Sequence, residues 1–248
     1  MKRVVRLAAL GVGAYLLILI ATFPAARISA SLEDQVADLA MNGVSGSVLS
    51  GQAVQVVYQG LDLGTVHWQF RPLLLLLGRL EYRVELDNPA NRGHLNAGKT
   101  LTGRTYMDDV DIEILPDRLV NNYSLVAFNS SGTMQLLFDT FSPGDDYSGE
   151  VAGRVQWRDA VILEPVNLVL GQLEMDVSSE DGQLVGRFDN SGDLGVSGEV
   201  ALSPINEYQV DLILRPVAGI DADTRDILEQ YSQRQANGNY RIELSGQF

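Results

Sequence analysis

Two histidines and one run of acids are the residues of this chain best equipped for chemistry, and neither forms a catalytic pattern. His67 and His94 are the only histidines in 248 residues. Their separation is far from the H-x-x-x-H spacing that sets two metal ligands on one helical face. His67 lies in Thr65-Val66-His67-Trp68-Gln69-Phe70 and reads as a strand residue opposed to Val66, Trp68 and Phe70. His94, in Asn91-Arg92-Gly93-His94, reads as a loop residue. The run Asp108-Asp109-Val110-Asp111-Ile112-Glu113 would project Asp109, Asp111 and Glu113 from one strand face. Strand carboxylates do not wrap a cation as a loop does, and no glycine turn is embedded among them. A solvated face is expected.

Asp145 and Asp146 follow Pro143-Gly144 and read as turn acids. No serine sits in a nucleophile elbow and no phosphate-cradling loop is present. The chain has no cysteine, which excludes a disulfide framework, a Cys-ligated zinc and a thiol nucleophile. No catalytic, cofactor-binding or metal-binding residue is assigned, and the chain does not read as an enzyme. Its formal net charge of -14 argues against nucleic acid as a partner. The same charge argues against spreading on an anionic lipid surface by overall attraction.

Between Arg6 and Arg27 no residue is charged. A helix needs about 20 apolar residues to cross a bilayer, and residues 7–26 meet that requirement. Lys2, Arg3 and Arg6 precede it, so the positive-inside bias keeps the amino terminus cytoplasmic. On the competing reading of a cleaved signal peptide, Ile28-Ser29-Ala30 is a poor site because a bulky Ile stands where a small residue is wanted, and the better-placed Phe23-Pro24-Ala25-Ala26 would put Arg27 at or near the new terminus. A retained anchor is expected: residues 1–6 in the cytoplasm, 7–26 across the membrane and 27–248 outside.

Beyond the anchor the pattern is mainly β. A short helix capped by Ser31, with Leu32, Val36 and Leu39 on one face, should end at Asn42-Gly43. Leu80, Tyr82, Val84 and Leu86 then alternate with Arg79, Glu81, Arg83 and Glu85, as a half-buried strand requires. Val110, Ile112 and Ile114 alternate with acids in the same way. Similar runs begin at Val151, Leu173, Leu194 and Tyr208, with turn residues between them. A late helix carrying Ile227, Leu228 and Tyr231, capped by Asp221 or Asp223, should run to Asn237-Gly238, followed by a closing strand from Tyr240. The fold predicted is a curled, extended antiparallel sheet with a short helix near each end. Leu73–Leu77 is too short to span a bilayer. It reads as a buried segment or as a patch that docks on the membrane or a partner.

One block is more distinctive than any catalytic candidate. Gly43-Val44-Ser45-Gly46-Ser47-Val48-Leu49-Ser50-Gly51 is followed by Val66-His67-Trp68 and by Arg71-Pro72-Leu73-Leu74-Leu75-Leu76-Leu77-Gly78-Arg79-Leu80. It resembles the protein N family of the bacterial type II secretion system. The resemblance implies one inner-membrane helix, a periplasmic β-rich domain, other secretion subunits as partners and no catalytic residue. Gly46, Gly51, Trp68, Pro72 and Gly78 carry it and read as structural, with Trp68 filling the core. More distantly, the architecture resembles anchored β-groove proteins of the AsmA type, which handle lipid. On that alternative Leu80, Tyr82, Val84, Val110 and Ile112 would line a groove for phospholipid rather than a closed core.

Overall fold

The computed structural model describes residues 21–115, 129–142, 149–164, 168–190, 194–205, 207–216 and 222–247, together with 11, 15, 18, 19 and 144. Asp145, Asp146 and Asp221 lie outside the described residues, as does most of the expected anchor. Among the described residues no helix is long and apolar enough to cross a membrane.

The described strands form one antiparallel sheet. In chain order they are β1 (Leu39–Asn42), β2 (Ser45–Gly46), β3 (Ser50–Tyr58), β4 (Leu61–Phe70), β5 (Arg79–Asp87), β6 (Asn91–Thr100), β7 (Thr105–Ile114) and β8 (Asn129–Ser142). They continue as β9 (Glu150–Glu164), β10 (Leu168–Glu180), β11 (Gln183–Asn190), β12 (Leu194–Leu202), β13 (Glu207–Pro216), β14 (Gln233–Arg234) and β15 (Tyr240–Gln247). From β3 to β13 each strand pairs with its chain neighbour, and β15 then pairs with both β13 and β14. The sheet is a meander that does not close on itself. Short connections leave little alternative, because antiparallel strands need only a hairpin between them.

Register turns the alternating sequence into two continuous faces. Ile112 stands opposite Leu136, then Val155, Met175 and Phe188 on successive strands. On the other face Arg154, Asp176, Arg187 and Glu199 form a row of alternating charge. Cross-strand ion pairs tie that row together: Arg154 to Asp176 at 2.7 Å and Arg187 to Glu199 at 3.1 Å. Arg187 also grips Glu180 with two nitrogens, each at 2.6 Å, which holds that carboxyl down at about 2.

The main buried cluster sits toward the C-terminal strands. Trp157, Ala160, Leu170, Leu194, Val196, Leu214 and Tyr240 form it, with Met134, Leu173 and Leu228 packed against it. Leu228 belongs to helix α2 (Ala222–Tyr231), which lies beside β15. This late helix is shorter than the pattern predicts. Gln233–Arg234 leave it to pair with β15, and Asn237-Gly238 is the hairpin turn instead of the helix stop. Asp223 falls inside the helix.

The first helix, α1 (Ala26–Gln35), also differs from expectation. It starts before Ser31, which therefore caps nothing, and Asp38 at φ 59° turns the chain away. Leu39 enters β1 and faces Tyr58 of β3. Leu32, Val36 and Leu39 have helical spacing, but the free edge of β3 offers Leu39–Asn42 a complete ladder. Tertiary pairing overrides the weaker local preference.

Candidate functional site

The five residues that carry the family resemblance all fall at one end of the sheet's N-terminal part. Gly46, at φ 86°, closes the tight β2–β3 turn, where a Cβ would come within 2.7 Å of both the Gly51 Cα and the Ser50 carbonyl. Gly51 faces Trp68 directly across β3 and β4. A Cβ on Gly51 would lie 2.5 Å from the Trp68 ring and 2.5 Å from the Ser45 carbonyl. Only glycine leaves room for the indole against the neighbouring strand. The indole N–H then donates to the Ser47 carbonyl at 3.1 Å. Trp68 is half-buried and stands apart from the Trp157 cluster, so it does not fill the main core as expected.

This packed turn is the seat of the chain's N-terminal segment. Ala25 N–H donates to the Gly46 carbonyl at 3.1 Å, and Val48 N–H to the Phe23 carbonyl at 3.0 Å. Pro24 bridges Ser47 in antiparallel sense. Helix α1 then crosses the apolar face. An apolar cavity of about 450 Å³ lies beneath it, lined by Ile28, Leu32, Met41, Trp68, Tyr82 and Val84 among others.

Pro72 and Gly78 bracket a short 3-10 helix, Pro72–Leu77, at the same end. Pro fits its first turn, which needs no N–H donor. Gly78 ends it in the left-handed conformation, φ 74°. The segment is not buried. Leu73, Leu76 and Leu77 are 78%, 85% and 74% exposed, so the buried reading of this run is wrong. A single residue of the run, Leu74, is half-buried, because the loop projects beyond the last rung of the sheet. Gly78 accepts from Leu101 N–H at 2.9 Å, which couples the loop to the β6–β7 turn, where Leu101 is 84% exposed.

Glu81 holds this arrangement from below. The alternation of β5 assigns it to the charged outer face, yet it is 1% exposed. Its carboxylate accepts from Arg71 at 2.6 Å and from the Tyr106 hydroxyl at 2.7 Å. Arg79 lies over the Tyr106 ring at 5.0 Å and pairs with Asp108 at 3.7 Å. Gly98, across from Tyr106, has no Cβ to block the phenol, which would otherwise meet it at 2.6 Å. Sequence reasoning missed Glu81, Arg71 and Tyr106 as a unit. Nothing local distinguishes Glu81 from Arg83 or Glu85, and Tyr106 joins it only through the β5–β6–β7 pairing.

Burial, then the hydrogen bond to Glu81 and that carboxylate's charge, pushes the Tyr106 hydroxyl up from 10 to about 12. The folded state therefore holds this proton more tightly than the unfolded chain does. Its contribution to stability is complete below pH 10 and is lost as pH rises through 12. Tyr106→Phe is expected to cost about 1–2 kcal/mol at neutral pH and to remove that alkaline loss. Denaturation of both proteins from neutral pH to pH 12 checks this; parallel curves would refute it.

The acids of the run are each met by a neighbouring side chain. Asp109 adopts φ 51° and forms a bulge, so the register slips between His94 and Asn96. Arg83 lies 3.5 Å from Asp109, Arg92 2.7 Å from Glu113, and the Gln135 amide donates to Asp111 at 2.7 Å. Among the described residues no group of three or more His, Cys, Asp or Glu side chains could hold a metal ion. His94 lies in strand β6 rather than a loop, across from Glu85, while His67 faces Glu85 from the other side.

The proposed groove residues share a strand face but not one environment. Tyr82 and Val84 line the cavity under α1, and Val110 is buried. Ile112 is half-buried in the apolar row, and Leu80 is 46% exposed beside the leucine loop.

The family model for type II secretion system (T2SS), protein N, matches residues 37–243. A type II secretion system protein N of Vibrio cholerae is 26% identical over 216 residues, covering 84% of this chain and 85% of its own. One from Aeromonas hydrophila is 23% identical over 253 residues and 99% of each chain. One from Klebsiella pneumoniae is 24% identical over 246 residues, 94% of this chain and 92% of its own. No solved structure matches.

Proposed function

The chain belongs to the type II secretion system protein N family, and we propose that it works as a single-pass inner-membrane part of that machine. Residues 1–6 lie in the cytoplasm, 7–26 cross the inner membrane and 27–248 form a periplasmic β domain. The domain contributes to export of folded proteins across the outer membrane through contacts with other secretion subunits. The observation that carries this reading is the family match across residues 37–243.

The membrane placement has its own support. Lys2, Arg3 and Arg6 precede an uncharged apolar run, the order expected of a span with a cytoplasmic amino terminus. Tyr15 and Ile18, within that run, are 65% and 62% exposed. Lipid would cover them. The family is that of a secretion-system component.

Three experiments test this. Deleting the gene should lower the amount of exported enzyme in the medium, with restoration by the full-length chain. Purification of that chain in mild detergent should retain other secretion subunits. Stoichiometric phospholipid without those subunits would instead mark a lipid-handling groove and overturn the proposal. Because the natural chain has no cysteine, Lys2→Cys and Asp87→Cys each report one site. A membrane-impermeant thiol reagent should label Asp87→Cys and not Lys2→Cys in spheroplasts. The reverse pattern would refute the orientation.

A further inference from the structure

We infer that the leucine-tipped end of the sheet, formed by Pro72–Leu77 and the β6–β7 turn, rests on the surface of the bilayer that residues 7–26 span. The inference stands on that reading of the anchor and adds a second membrane contact, made by the folded domain itself.

Strand direction places the tip. Strand β3 begins at Ser50 beside the end of β4, where Phe70 N–H donates to the Leu49 carbonyl. The chain at 46–48 runs toward that end, and residues 23–25 pair with it in the opposite sense. Traced backward from Ala25 to Phe23, the chain therefore heads off the sheet at the Phe70 end. Strand β5 extends past Phe70, which pairs with Tyr82, as far as Arg79 opposite Thr100. The Pro72–Leu77 loop and the β6–β7 turn thus project from the edge at which the anchor departs.

The chemistry of that edge suits a lipid headgroup layer. Leu73, Leu75, Leu76, Leu77 and Leu101 are all exposed, an apolar tip that needs a cover. Segments 70–80 and 99–106 contain Arg71, Arg79, Lys99 and Arg104 and no acid, in a chain of net charge -14. Arg71 and Arg79 are engaged by Glu81 and Asp108; Lys99 and Arg104 are exposed and have no ion pair among the described residues, Arg104 Nε donating to the Ser142 hydroxyl at 2.7 Å. Exposed leucines beside exposed cations match an anionic bilayer surface. The overall negative charge does not prevent this, because charges beyond roughly 8–10 Å are screened at physiological salt. The anchor holds the tip near the membrane, so weak contact suffices.

Full-length Leu76→Cys, Leu101→Cys and Asp87→Cys carry an environment-sensitive fluorophore at one site each. Asp87 ends β5 at the opposite edge. In liposomes containing phosphatidylglycerol and spin-labelled lipid, quenching at 76 and 101 should exceed that at 87 by at least about twofold. Lys99→Glu with Arg104→Glu should reduce that excess in phosphatidylglycerol liposomes and leave it unchanged in phosphatidylcholine alone. Equal quenching at all three sites would overturn the inference. So would burial of position 76 only when other secretion subunits are added, since the tip would then be a protein-docking surface. Loss of the chain from the liposomes on carbonate washing would refute the anchor itself; retention without quenching would refute only the docked tip.

Discussion

Trp157→Ala is expected to lower the stability of the folded domain by about 3–5 kcal/mol, the range for removing a buried aromatic side chain. Trp157 is 8% exposed and central to the main buried cluster, opposite Met134 on β8 and Leu173 on β10. Its indole N–H donates to the Ser131 carbonyl at 3.0 Å. Alanine would remove the ring, leave a cavity in the main buried cluster and strip that carbonyl of its indole donor. The strand is paired on both sides, Met134 on β8 and Leu173 on β10, which limits how far it can close over the gap. For a domain of this size about 3–5 kcal/mol corresponds to a fall in Tm of roughly 10 °C. Thermal circular dichroism of the full-length chain in detergent measures it. An unchanged Tm would show that the cluster does not hold the C-terminal strands together.

Gly51→Val should be the most damaging change at the opposite end, costing about 3 kcal/mol, the upper part of the overpacking range. The new Cβ would meet the Trp68 ring on one side and the Ser45 carbonyl on the other, both at 2.5 Å. The ring could rotate away, but the carbonyl belongs to β2 and cannot move without opening the turn. Opening it releases the Ser47 carbonyl from Trp68 and loosens the seat of Phe23–Ala25. Limited proteolysis should then cut near residues 42–50 well before the C-terminal strands. Gly51→Val with a wild-type digestion pattern would mean that this glycine sets no close approach. The comparison with Trp157→Ala is informative because the two substitutions act at opposite ends of one meander.

Much of the architecture was legible. The alternating runs at Leu80, Val110, Val151, Leu173, Leu194 and Tyr208 all lie in strands, because a two-residue period is a local property of a half-buried sheet. The small-residue block at Gly46 and Gly51 was legible as structural, but the approach of the Trp68 ring to Gly51 was not. Helix ends were not legible. Leu39 and Gln233 each left a helical pattern for a strand partner that lies elsewhere in the chain. The segments Val44–Val48, Val151–Val155 and Val196–Val200 each centre on a glycine in sequence, yet the three glycines have different roles in three dimensions. Gly46 closes a turn at φ 86°, Gly198 sits at φ 146° within β12, and Gly153 lies in β9 under the Phe138 ring.

From the sequence alone follow an antiparallel β pattern with one apolar and one charged face and an uncharged segment at residues 7–26. These depend on periodicity and composition, which act over a few residues at a time. Tertiary structure alone decided that Glu81 is buried, that Leu73 and Leu75–Leu77 are exposed and that Lys99 and the β6–β7 turn lie at the same end of the sheet. Each of those outcomes is set by which strand ends meet at one edge of the sheet. Such meetings join residues far apart in the chain, and no short window of sequence contains them.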